Sequence, residues 1–532
     1  MTRRDSNLGP IAHWKLEEDG RDALAGGHDL VNHGVTFDRD GAVFSGRSAY
    51  LESQTVPVAA KDFAVSAWIN TDQAPDDALG DIVSRYDPVT RAGFNLSVLN
   101  LAGVTSAHSN YRTLHFGIHD PAAGTLKWVD CGRPGDTVFV CALAVFDGAL
   151  YAAVYSSAPD GVGRVFRYAG GQFWEDCGSP DPCNCIGSLA VHGGNLYAGA
   201  ARYRAQGSAL PPSSNESPGG KVYRYAGGKE WVECGALGDA DTAWAMTVYD
   251  GRLYAIPIYH QGMWRYEGGR HWRYCGTPGV RLMALGVYDG RLFGAGNEGA
   301  KRGGVYVYEG GETWRCCGGQ PGVDQVYSFA VYQGRLYVGT WPEAAVFRYD
   351  GDESWAECGR LGEEQEVMAM AVYNGTLYAG TLPLAQVYQY EGADAWSLAG
   401  RLDWTPDVKY RRAWSMAVFQ GRLFCGTLPS GRVYALEAGA NVTYDRALEA
   451  GWRHVTAQRR SGELELYVDG ERVAGQDGHG TAESCAIPDA PFRIGFGAHD
   501  YFNGRIRDVR VYNRALGDAE ILKLCDRERN WL

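Results

Sequence analysis

Short apolar stretches alternate with glycine-containing turns along most of the chain, and the pattern returns at regular intervals. In each copy a strand of alternating small and large residues, such as 328–332 (SFAVY), precedes a two-residue turn. These turns read Asp-Gly, Gly-Gly, Asn-Gly or Gln-Gly, dipeptides that favour β-hairpins with positive φ at the turn residues. The pattern therefore predicts a repeated array of short antiparallel strands.

A Trp-x-x-Cys-Gly step ends most copies of the repeat. Its tryptophan occurs seven times, as Trp128, Trp174, Trp231, Trp272, Trp314, Trp355 and Trp396. Four of the six intervals are 41 or 42 residues, and this period with three or four strands indicates a β-propeller. The first tryptophan strand, 127–132, has no hairpin before it, and the last hairpin, 413–436, has no tryptophan strand after it. We therefore predict seven blades, with 127–132 completing the last one and closing the ring.

The two ends of the chain carry a different pattern. The segments DFAVSAWI, GWRHVTAQR, LYVDGERV and IRDVRVYNRALGDAEI occur in this order, and together they resemble the two halves of a laminin-G-like jelly roll. That family belongs to the concanavalin A-like lectin/glucanase superfamily. The resemblance implies that the family's short internal connection is replaced here by the whole propeller.

The expected fold is all-β, a seven-bladed β-propeller inserted into a concanavalin A-like β-sandwich. The predicted domains are the first jelly-roll half at 1–126, the propeller at 127–438 and the second jelly-roll half at 439–532. Both ends of the insert should lie close together on one edge of the sandwich, where insertions are tolerated. The propeller repeats resemble no recognised family, because they lack the WD40 and kelch signatures.

Charge and hydropathy exclude some partners. A formal net charge of -13 argues against nucleic acid, since phosphate binding needs a basic surface. No apolar run is long enough to cross a bilayer. The N-terminus has no apolar signal-peptide core, so we predict a cytoplasmic protein, or a secreted one if a leader is missing.

The cysteines support the cytoplasmic prediction. Six of the 13 take the same place in successive repeats, namely Cys131, Cys177, Cys234, Cys275, Cys317 and Cys358. Equivalent positions on neighbouring blades should be too far apart for a disulfide, which needs Cα atoms within about 7 Å. We therefore expect them to be small buried hydrophobic residues, and unpaired thiols in this number favour a reducing compartment.

Propeller sites lie around the central depression, among the loops between the second and third strands and the loops that lead into the innermost strands. These loops vary most in blades 1 to 4, and blade 2 carries the longest insertion, 200–220. The basin should be centred on blades 2 to 4. The predicted ligand-binding residues are Tyr155, Arg202, Tyr203, Tyr259, His260, Arg281, Asn297, Glu298, Gln325, Trp341, Glu366 and Arg412, and Lys301 and Arg302 lie in the same loops.

This residue set favours a carbohydrate-recognising protein. Flat aromatic rings such as Tyr155, Tyr259 and Trp341 would stack on sugar rings, while arginine and amide side chains would bond hydroxyl groups. The partner would be a polysaccharide or oligosaccharide, with the jelly roll as host or second binding module. A protein-interaction scaffold is a third class, since a ring shape also suits protein partners.

An enzyme is the alternative. In a polysaccharide lyase, Arg202 or Arg281 would neutralise a uronate carboxylate, and Tyr259 or His260 would move the proton. A glycoside hydrolase needs two carboxyl groups, for which the basin offers three candidates, Asp241, Glu298 and Glu366. The jelly roll lacks the Glu-x-Asp-x-x-Glu strand of related glucanases, so that half is expected to bind or to support rather than to catalyse.

The sequence predicts no cofactor and offers one candidate site for a structural metal, for which the alternative is an exposed Asp on an edge strand. In related jelly rolls an acidic residue of the last strand helps to hold a structural Ca²⁺, and the resemblance places Asp508 in that position. Glu17 or Asp22 would lie opposite, and oxygen ligands suit calcium.

Overall fold

The computed structural model describes residues 9–24, 26–58, 61–72, 80–119, 126–298, 303–475 and 489–529. Lys301 and Arg302 lie outside these ranges. Nine strands precede the propeller: β1 (Ala12–Trp14), β2 (Val31–His33), β3 (Thr36–Asp38), β4 (Gly41–Ser45), β5 (Tyr50–Ser53), β6 (Phe63–Asn70), β7 (Gly80–Tyr86), β8 (Gly93–Leu101) and β9 (Asn110–His119).

The propeller strands follow as the repeats predict, and they pair as four-stranded antiparallel units. They are β10 (Lys127–Asp130); for blade 1, β11 (Phe139–Phe146), β12 (Ala149–Tyr155), β13 (Arg164–Gly170) and β14 (Phe173–Asp176); for blade 2, β15 (Cys185–His192), β16 (Asn195–Ala201), β17 (Lys221–Gly227) and β18 (Glu230–Ala236); for blade 3, β19 (Ala245–Tyr249), β20 (Arg252–Ile256), β21 (Trp264–Gly268) and β22 (His271–Tyr274); for blade 4, β23 (Leu282–Tyr288), β24 (Arg291–Gly296), β25 (Gly304–Gly310) and β26 (Thr313–Cys316); for blade 5, β27 (Gln325–Tyr332), β28 (Arg335–Trp341), β29 (Ala345–Gly351) and β30 (Ser354–Arg360); for blade 6, β31 (Glu366–Tyr373), β32 (Thr376–Leu382), β33 (Gln386–Gly392) and β34 (Ala395–Arg401); and for blade 7, β35 (Arg412–Phe419), β36 (Arg422–Leu428) and β37 (Val433–Glu437).

Blade 7 takes its fourth strand from the beginning of the propeller. β10 pairs with β37, so that Lys127 lies opposite Glu437 and Asp130 opposite Tyr434. This pairing confirms the predicted closure. The innermost strands β11, β15, β19, β23, β27, β31 and β35 are packed as neighbours in a closed cycle.

Each repeat tryptophan ties its blade to the preceding one. Trp355 Nε1 donates to the carbonyl oxygen of Cys317 at 2.7 Å. The same bond joins Trp174 to Cys131, Trp231 to Cys177, Trp272 to Cys234, Trp314 to Cys275 and Trp396 to Cys358, and Trp128 donates to Ala399 across the closure. The six repeat cysteines are buried and free, as predicted. The repeated step is therefore structural.

The two-residue turns also have the predicted backbone. In blade 6, Asn374 and Gly375 have φ of 48° and 66°, which is the left-handed region that Asn and Gly tolerate best. These turns, between the first and second strands of each blade, lie on one side of the ring, which we call the turn face. The loops between second and third strands, and those leading into the inner strands, lie on the opposite side, the open face.

The chain ends with β38 (Ala440–Ala447), β39 (Trp452–Arg460), β40 (Glu463–Val468), β41 (Glu471–Gly475), β42 (Phe492–Ile494), β43 (Asn503–Tyr512) and the helix α1 (Asp518–Arg529). One sheet has the order β3-β4-β43-β6-β39-β40-β41, with β1 beside β43, and the other has the order β2-β5-β42-β7-β8-β9-β38. Both sheets combine strands from the two ends of the chain. The strands that flank the propeller, β9 and β38, are antiparallel partners.

The jelly roll covers the turn face of the propeller. The backbone N–H of Gly334 in blade 5 donates to His499 at 3.0 Å, and the Tyr86 hydroxyl donates to the carbonyl of Gly375 in blade 6 at 2.6 Å. In blade 7, the Gly421 N–H donates to Thr443 Oγ1 at 3.0 Å. In the part of the chain that the structure describes, these contacts place the jelly roll against the turn face.

The loop between β8 and β9 enters the centre of the ring from the turn face. We call its residues 101–110 the plug. The carbonyl of Gly103 accepts from Phe329 N in blade 5 at 3.0 Å, and His108 N donates to Leu189 in blade 2 at 3.1 Å. Asn110 forms a pair of bonds with the backbone N and O of Val418 in blade 7, at 2.9 and 2.8 Å.

The tip of the plug reaches the middle of the ring. Thr105 Oγ1 donates to the Trp414 carbonyl at 3.1 Å, and Ser106 Oγ donates to the Cys141 carbonyl at 2.9 Å. Both side chains are at most 1% exposed. Small residues dominate the plug, which explains how a hairpin can fit where the inner strands converge. The jelly-roll hairpin therefore fills the axis at the turn-face end of the propeller.

Candidate functional site

At the open-face end, the propeller axis is filled by a layer of large side chains. Trp244, which immediately precedes β19, and Trp414, the third residue of β35, are 0% and 3% exposed. Tyr203 stacks on Trp244, with ring centroids 5.2 Å apart and planes 9° apart. Phe139 packs edge-on against Trp414 at 5.0 Å. We call these four residues the axial cluster; it lies above the plug.

The axial cluster corrects two sequence-based expectations. Tyr155 is 0% exposed, and its hydroxyl donates to the Pro211 carbonyl at 3.0 Å, so its ring offers no face to a sugar. Tyr203 is 7% exposed and belongs to the packing. The reason is the insertion 200–220, which folds inward over blades 1 and 2 and places Leu210 in the same core.

The rim of blades 2 and 3 carries the predicted catalytic candidates. Arg202 faces Glu216 at 3.5 Å, while His260 Nδ1 lies 3.6 Å from Asp241 Oδ1. Tyr259 accepts a 2.8 Å bond from the backbone N of Arg204 and is covered by that residue's guanidinium, 4.3 Å from the ring centroid.

The rim groups contact one another and the neighbouring backbone. The Arg202 side chain turns to Glu216, and Arg204 bonds Asp241 at 3.2 Å. Burial raises the pKa of Tyr259, so the phenol holds its proton at neutral pH. The side chain of Tyr259 is also partly hidden from solvent.

The predicted ligand-binding residues of blade 4 are also hydrogen-bonded within the protein. Arg281 donates to the backbone carbonyls of Asn297 and Ile258, the latter at 3.3 Å. Asn297 is 3% exposed and donates to the Val326 carbonyl at 3.2 Å. Glu298 accepts from Gln261 Nε2 at 3.3 Å. Arg281 therefore supports loops, and it does not point toward the rim of blades 2 and 3.

A group of polar side chains lies on the axis at blades 5 to 7. We call Gln325, Tyr327, Glu366 and Arg412 the polar arc. Glu366 and Arg412 begin the inner strands of blades 6 and 7, and Glu366 Oε2 lies 3.6 Å from Arg412 Nη2. The Tyr327 hydroxyl donates to Gln325 Oε1.

The central pair of the polar arc is buried but incompletely bonded. The side chains of Glu366 and Arg412 are 2% and 7% exposed. In the described part of the chain, Glu366 Oε1 and Arg412 Nε and Nη1 have no hydrogen-bond partner. Burial raises the pKa of Glu366, and the Arg412 charge opposes the shift. Burial, reinforced by the Glu366 carboxylate, raises the pKa of Tyr327.

Aromatic rings border the polar arc. The guanidinium carbon of Arg412 lies 5.3 Å from the Tyr410 ring and 5.8 Å from the Trp414 ring. Trp341 is partly exposed and pairs with Gln325 across the hairpin of blade 5. Of the predicted residues, Gln325, Trp341, Glu366 and Arg412 are thus brought together, on blades 5 to 7 rather than on blades 2 to 4.

Sequence reasoning missed Tyr327 and Tyr410. Tyr327 is the third residue of its inner strand, where blades 1 and 6 carry Cys141 and Met368, so its hydroxyl distinguishes blade 5. This difference between copies was the available signal. Tyr410 lies in a loop whose path into the axis the sequence does not specify.

A cavity lies beside the plug. Its lining includes Leu99 and Val104 of the jelly-roll hairpin and Val331 and Val372 of blades 5 and 6, with His499 at one end. The walls are mainly apolar and include none of the polar arc, so we do not assign the polar chemistry to it.

Two nitrogen-bearing side chains bond to Asp508. Its Oδ1 lies 2.6 Å from His13 Nε2 and 2.8 Å from Arg510 Nη2. Burial disfavours ionisation, but these two groups hold the pKa of Asp508 below its usual value. Asp22 accepts backbone N–H bonds, and Glu17 is exposed. Within the described ranges no three His, Cys, Asp or Glu side chains are arranged to hold a metal ion.

Neither helical segment of the described chain is both long and apolar enough to cross a membrane. These segments are α1 and the 3₁₀ turn Ala205–Ser208.

Comparison with known proteins supports the two-part architecture. Residues 413–522 match the family model Laminin_G_3, described as the concanavalin A-like lectin/glucanases superfamily. The match begins in blade 7 and continues through the second half of the jelly roll. No curated protein sequence matches the chain.

Solved structures of similar fold are β-propellers. A streptogramin B lyase is 9% identical, with 59% of this chain and 97% of that chain covered and a TM-score of 0.47. Virginiamycin B lyase from Staphylococcus aureus is 10% identical, with 58% and 99% covered and a TM-score of 0.45. A WD40 β-propeller domain is 12% identical, with 58% and 97% covered and a TM-score of 0.41. At these identities the similarity concerns the fold alone.

Proposed function

We propose that this protein binds a carbohydrate on the open face of the propeller, at the polar arc, with the jelly roll as the supporting module. The observation that carries the proposal is the buried Glu366–Arg412 pair, whose remaining polar atoms are unbonded in the described structure. Buried polar groups are nearly always satisfied in proteins, so such atoms point to a ligand or to ordered water.

The neighbours of the pair suit a sugar. Tyr410 and Trp341 are partly exposed rings on the same face, and carbohydrate sites combine apolar ring faces with a few directed polar groups. The concanavalin A-like match is compatible with carbohydrate binding as well. The -13 net charge disfavours nucleic acid, the other common polyhydroxylated partner.

A glycan array with the full chain tests the proposal. We expect binding to a limited set of glycans, and we expect Arg412→Gln to lower it at least about tenfold, since a lost hydrogen bond to a charged group is worth roughly 1.5–3 kcal/mol. Arg348→Gln is the matched control, because Arg348 is a surface residue of blade 5 paired with Asp350. Equal binding by wild type and both variants would contradict the open-face site.

The lyase alternative has weaker support. Its proton-transfer candidates are His260, which faces Asp241 at 3.6 Å, and Tyr259, whose raised pKa makes it a poor base. Incubation with uronate polysaccharides, followed by ultraviolet detection of unsaturated ends, would reveal elimination. We expect no signal; a signal lost in His260→Gln would establish an enzyme at the rim.

A further inference from the structure

The side chains of Glu366 and Arg412 are too far apart to satisfy each other's hydrogen-bonding groups. A charge-assisted N–H···O bond normally spans about 2.7–2.9 Å, whereas Glu366 Oε2 and Arg412 Nη2 are 3.6 Å apart. One carboxylate oxygen and two guanidinium nitrogens remain without partners in the described structure. Leaving such a buried group without a hydrogen bond is unfavourable, and more so when the group is charged.

The surroundings supply only part of the missing bonding. The Tyr327 hydroxyl donates to Gln325 Oε1 and also interacts with Glu366, which opposes the rise that burial causes in the pKa of that carboxyl, but Glu366 Oε1 itself has no hydrogen-bond partner in the described structure. Arg281 is held by the carbonyls of Asn297 and Ile258. The rings of Tyr410 and Trp414 lie beside the guanidinium, but they cannot accept directed bonds from its N–H groups as an oxygen would. The pair therefore lacks one hydrogen-bond donor, for Glu366 Oε1, and two hydrogen-bond acceptors, for Arg412 Nε and Nη1.

A hydroxyl group meets this demand because it donates one bond and accepts others. One hydroxyl can donate to Glu366 Oε1 while a neighbouring hydroxyl accepts from Arg412, which explains why the two charged groups are held apart. An anionic group suits the pair less well, because it would gain from Arg412 but meet the Glu366 carboxylate beside it. A second carboxylate would also push the Glu366 pKa further in the direction in which burial already moves it.

We infer that Glu366 and Arg412 recognise two adjacent hydroxyl groups of a neutral sugar, and that they discriminate against sugars carrying a carboxylate. This inference rests on the proposed carbohydrate site and names its ligand class. Glu366 accepts from the first hydroxyl, Arg412 donates to the second, and Tyr410 borders the ring.

The test begins with wild-type protein, so that it does not depend on the folding of a variant. The probes are the methyl glycosides of glucose, mannose, galactose and glucuronic acid, followed by monodeoxy derivatives of the strongest binder, with affinity measured by ligand-observed NMR. We expect a neutral hexoside to bind at least about tenfold more tightly than the glucuronide. Removal of either of two neighbouring hydroxyls should cost about tenfold or more, because each leaves a buried charged group unpaired.

A matched pair of variants tests whether sugar recognition occurs at Glu366. Glu366→Gln should weaken the neutral hexoside about tenfold and reduce discrimination against the glucuronide. Glu343→Gln is the control, because Glu343 also lies 3.6 Å from an arginine, Arg360, but in an exposed loop of the open face. Glu343→Gln should change affinity less than about twofold, as expected for a surface ion pair.

The outcomes distinguish failure of the diol assignment from failure of carbohydrate binding as a whole. If the glucuronide binds more tightly than every neutral hexoside, or if no neighbouring pair of hydroxyls matters, the diol assignment is wrong while carbohydrate binding stands. If Glu366→Gln and Glu343→Gln bind alike, the diol is recognised elsewhere. If neither the hexosides nor the glycan array shows binding, the proposed function fails together with this inference.

Discussion

The two ends of the propeller axis are both filled, but in different ways. At the turn face the plug bonds to the inner strands through Thr105, Ser106, His108 and Asn110, and among its described polar side chains only the Ser109 hydroxyl lacks a partner. At the open face the described groups without partners include the neutral indole N–H groups of Trp244 and Trp414, and also the charged side chains of Glu366 and Arg412. A neutral hydroxyl without a bond costs little compared with a charged group, so the comparison marks the first end as structural and the second as the place where a ligand would be accommodated.

The largest expected effect is at the plug. Asn110→Ala removes both bonds to Val418 and leaves a backbone N–H and C=O buried without partners, so we expect a loss of about 3 kcal/mol in unfolding free energy. Chemical denaturation measures it. Asn195→Ala, at a surface turn where Asn195 bonds Gly193, is the control and should lose less than about 1 kcal/mol. Similar losses in both would mean that the plug does not hold the ring together.

The contribution of the plug to the free energy of unfolding should depend on pH. His108 accepts from Val248 N at 3.1 Å and bonds Asn100 through Nε2, an arrangement that suits the neutral ring. Burial lowers the pKa of His108 to about 3. The unfolded chain, with a histidine pKa near 6.5, therefore binds this proton more readily than the folded protein does. Stability from His108 is complete above pH 6.5 and is lost as the pH falls toward 3, at up to about 1.4 kcal/mol per pH unit.

The pH effect is measured as a difference between proteins. Burial lowers the pKa of His119 to about 4, which acts in the same sense, whereas burial raises the pKa of Asp445 to about 7, which acts in the opposite sense. Thermal unfolding of wild type and His108→Gln between pH 7 and pH 4 isolates the His108 contribution. We expect the variant to have the shallower loss on acidification; equal slopes would exclude His108 as the sensitive group.

The smallest expected effect is at the open end. Replacing Glu366 with Leu and Arg412 with Met together should leave the unfolding free energy within about 1 kcal/mol of wild type or raise it, because apolar substitutes often equal a buried ion pair. Arg412→Met alone should be less stable than the double variant, because it leaves the carboxylate uncompensated. A double variant that unfolds much more readily than wild type would show that the polar arc is structural, and the contrast between the two ends would disappear.

Much of the scaffold could be predicted from the sequence. The turn dipeptides are local features, and Asn374 and Gly375 have the positive φ values expected of them. The strand 127–132 could be assigned to blade 7 by counting repeats, and β10 pairs there. The jelly-roll halves were predicted from family-like segments, and the match at 413–522 supports the second of them.

The site was predicted less well, for a physical reason. Loop length is visible in a sequence, and it drew attention to blades 2 to 4. Whether a long loop opens a basin or covers it depends on packing, and the 200–220 loop packs Tyr203 onto Trp244. Glu366 and Arg412 were both candidates, but they are 46 residues apart in the chain, and their pairing depends on blades 6 and 7 being neighbours.

The sequence by itself determined the repeat, its turns, the tryptophan step and the order of the strands, because these depend on residues that are close in the chain or recur at a fixed period. Only the tertiary structure decided that a jelly-roll hairpin fills one end of the axis and that Glu366 and Arg412 lie incompletely bonded at the other. Both features are contacts between distant segments, and the energetic cost of a buried, unbonded charge exists only once the ring has closed around it.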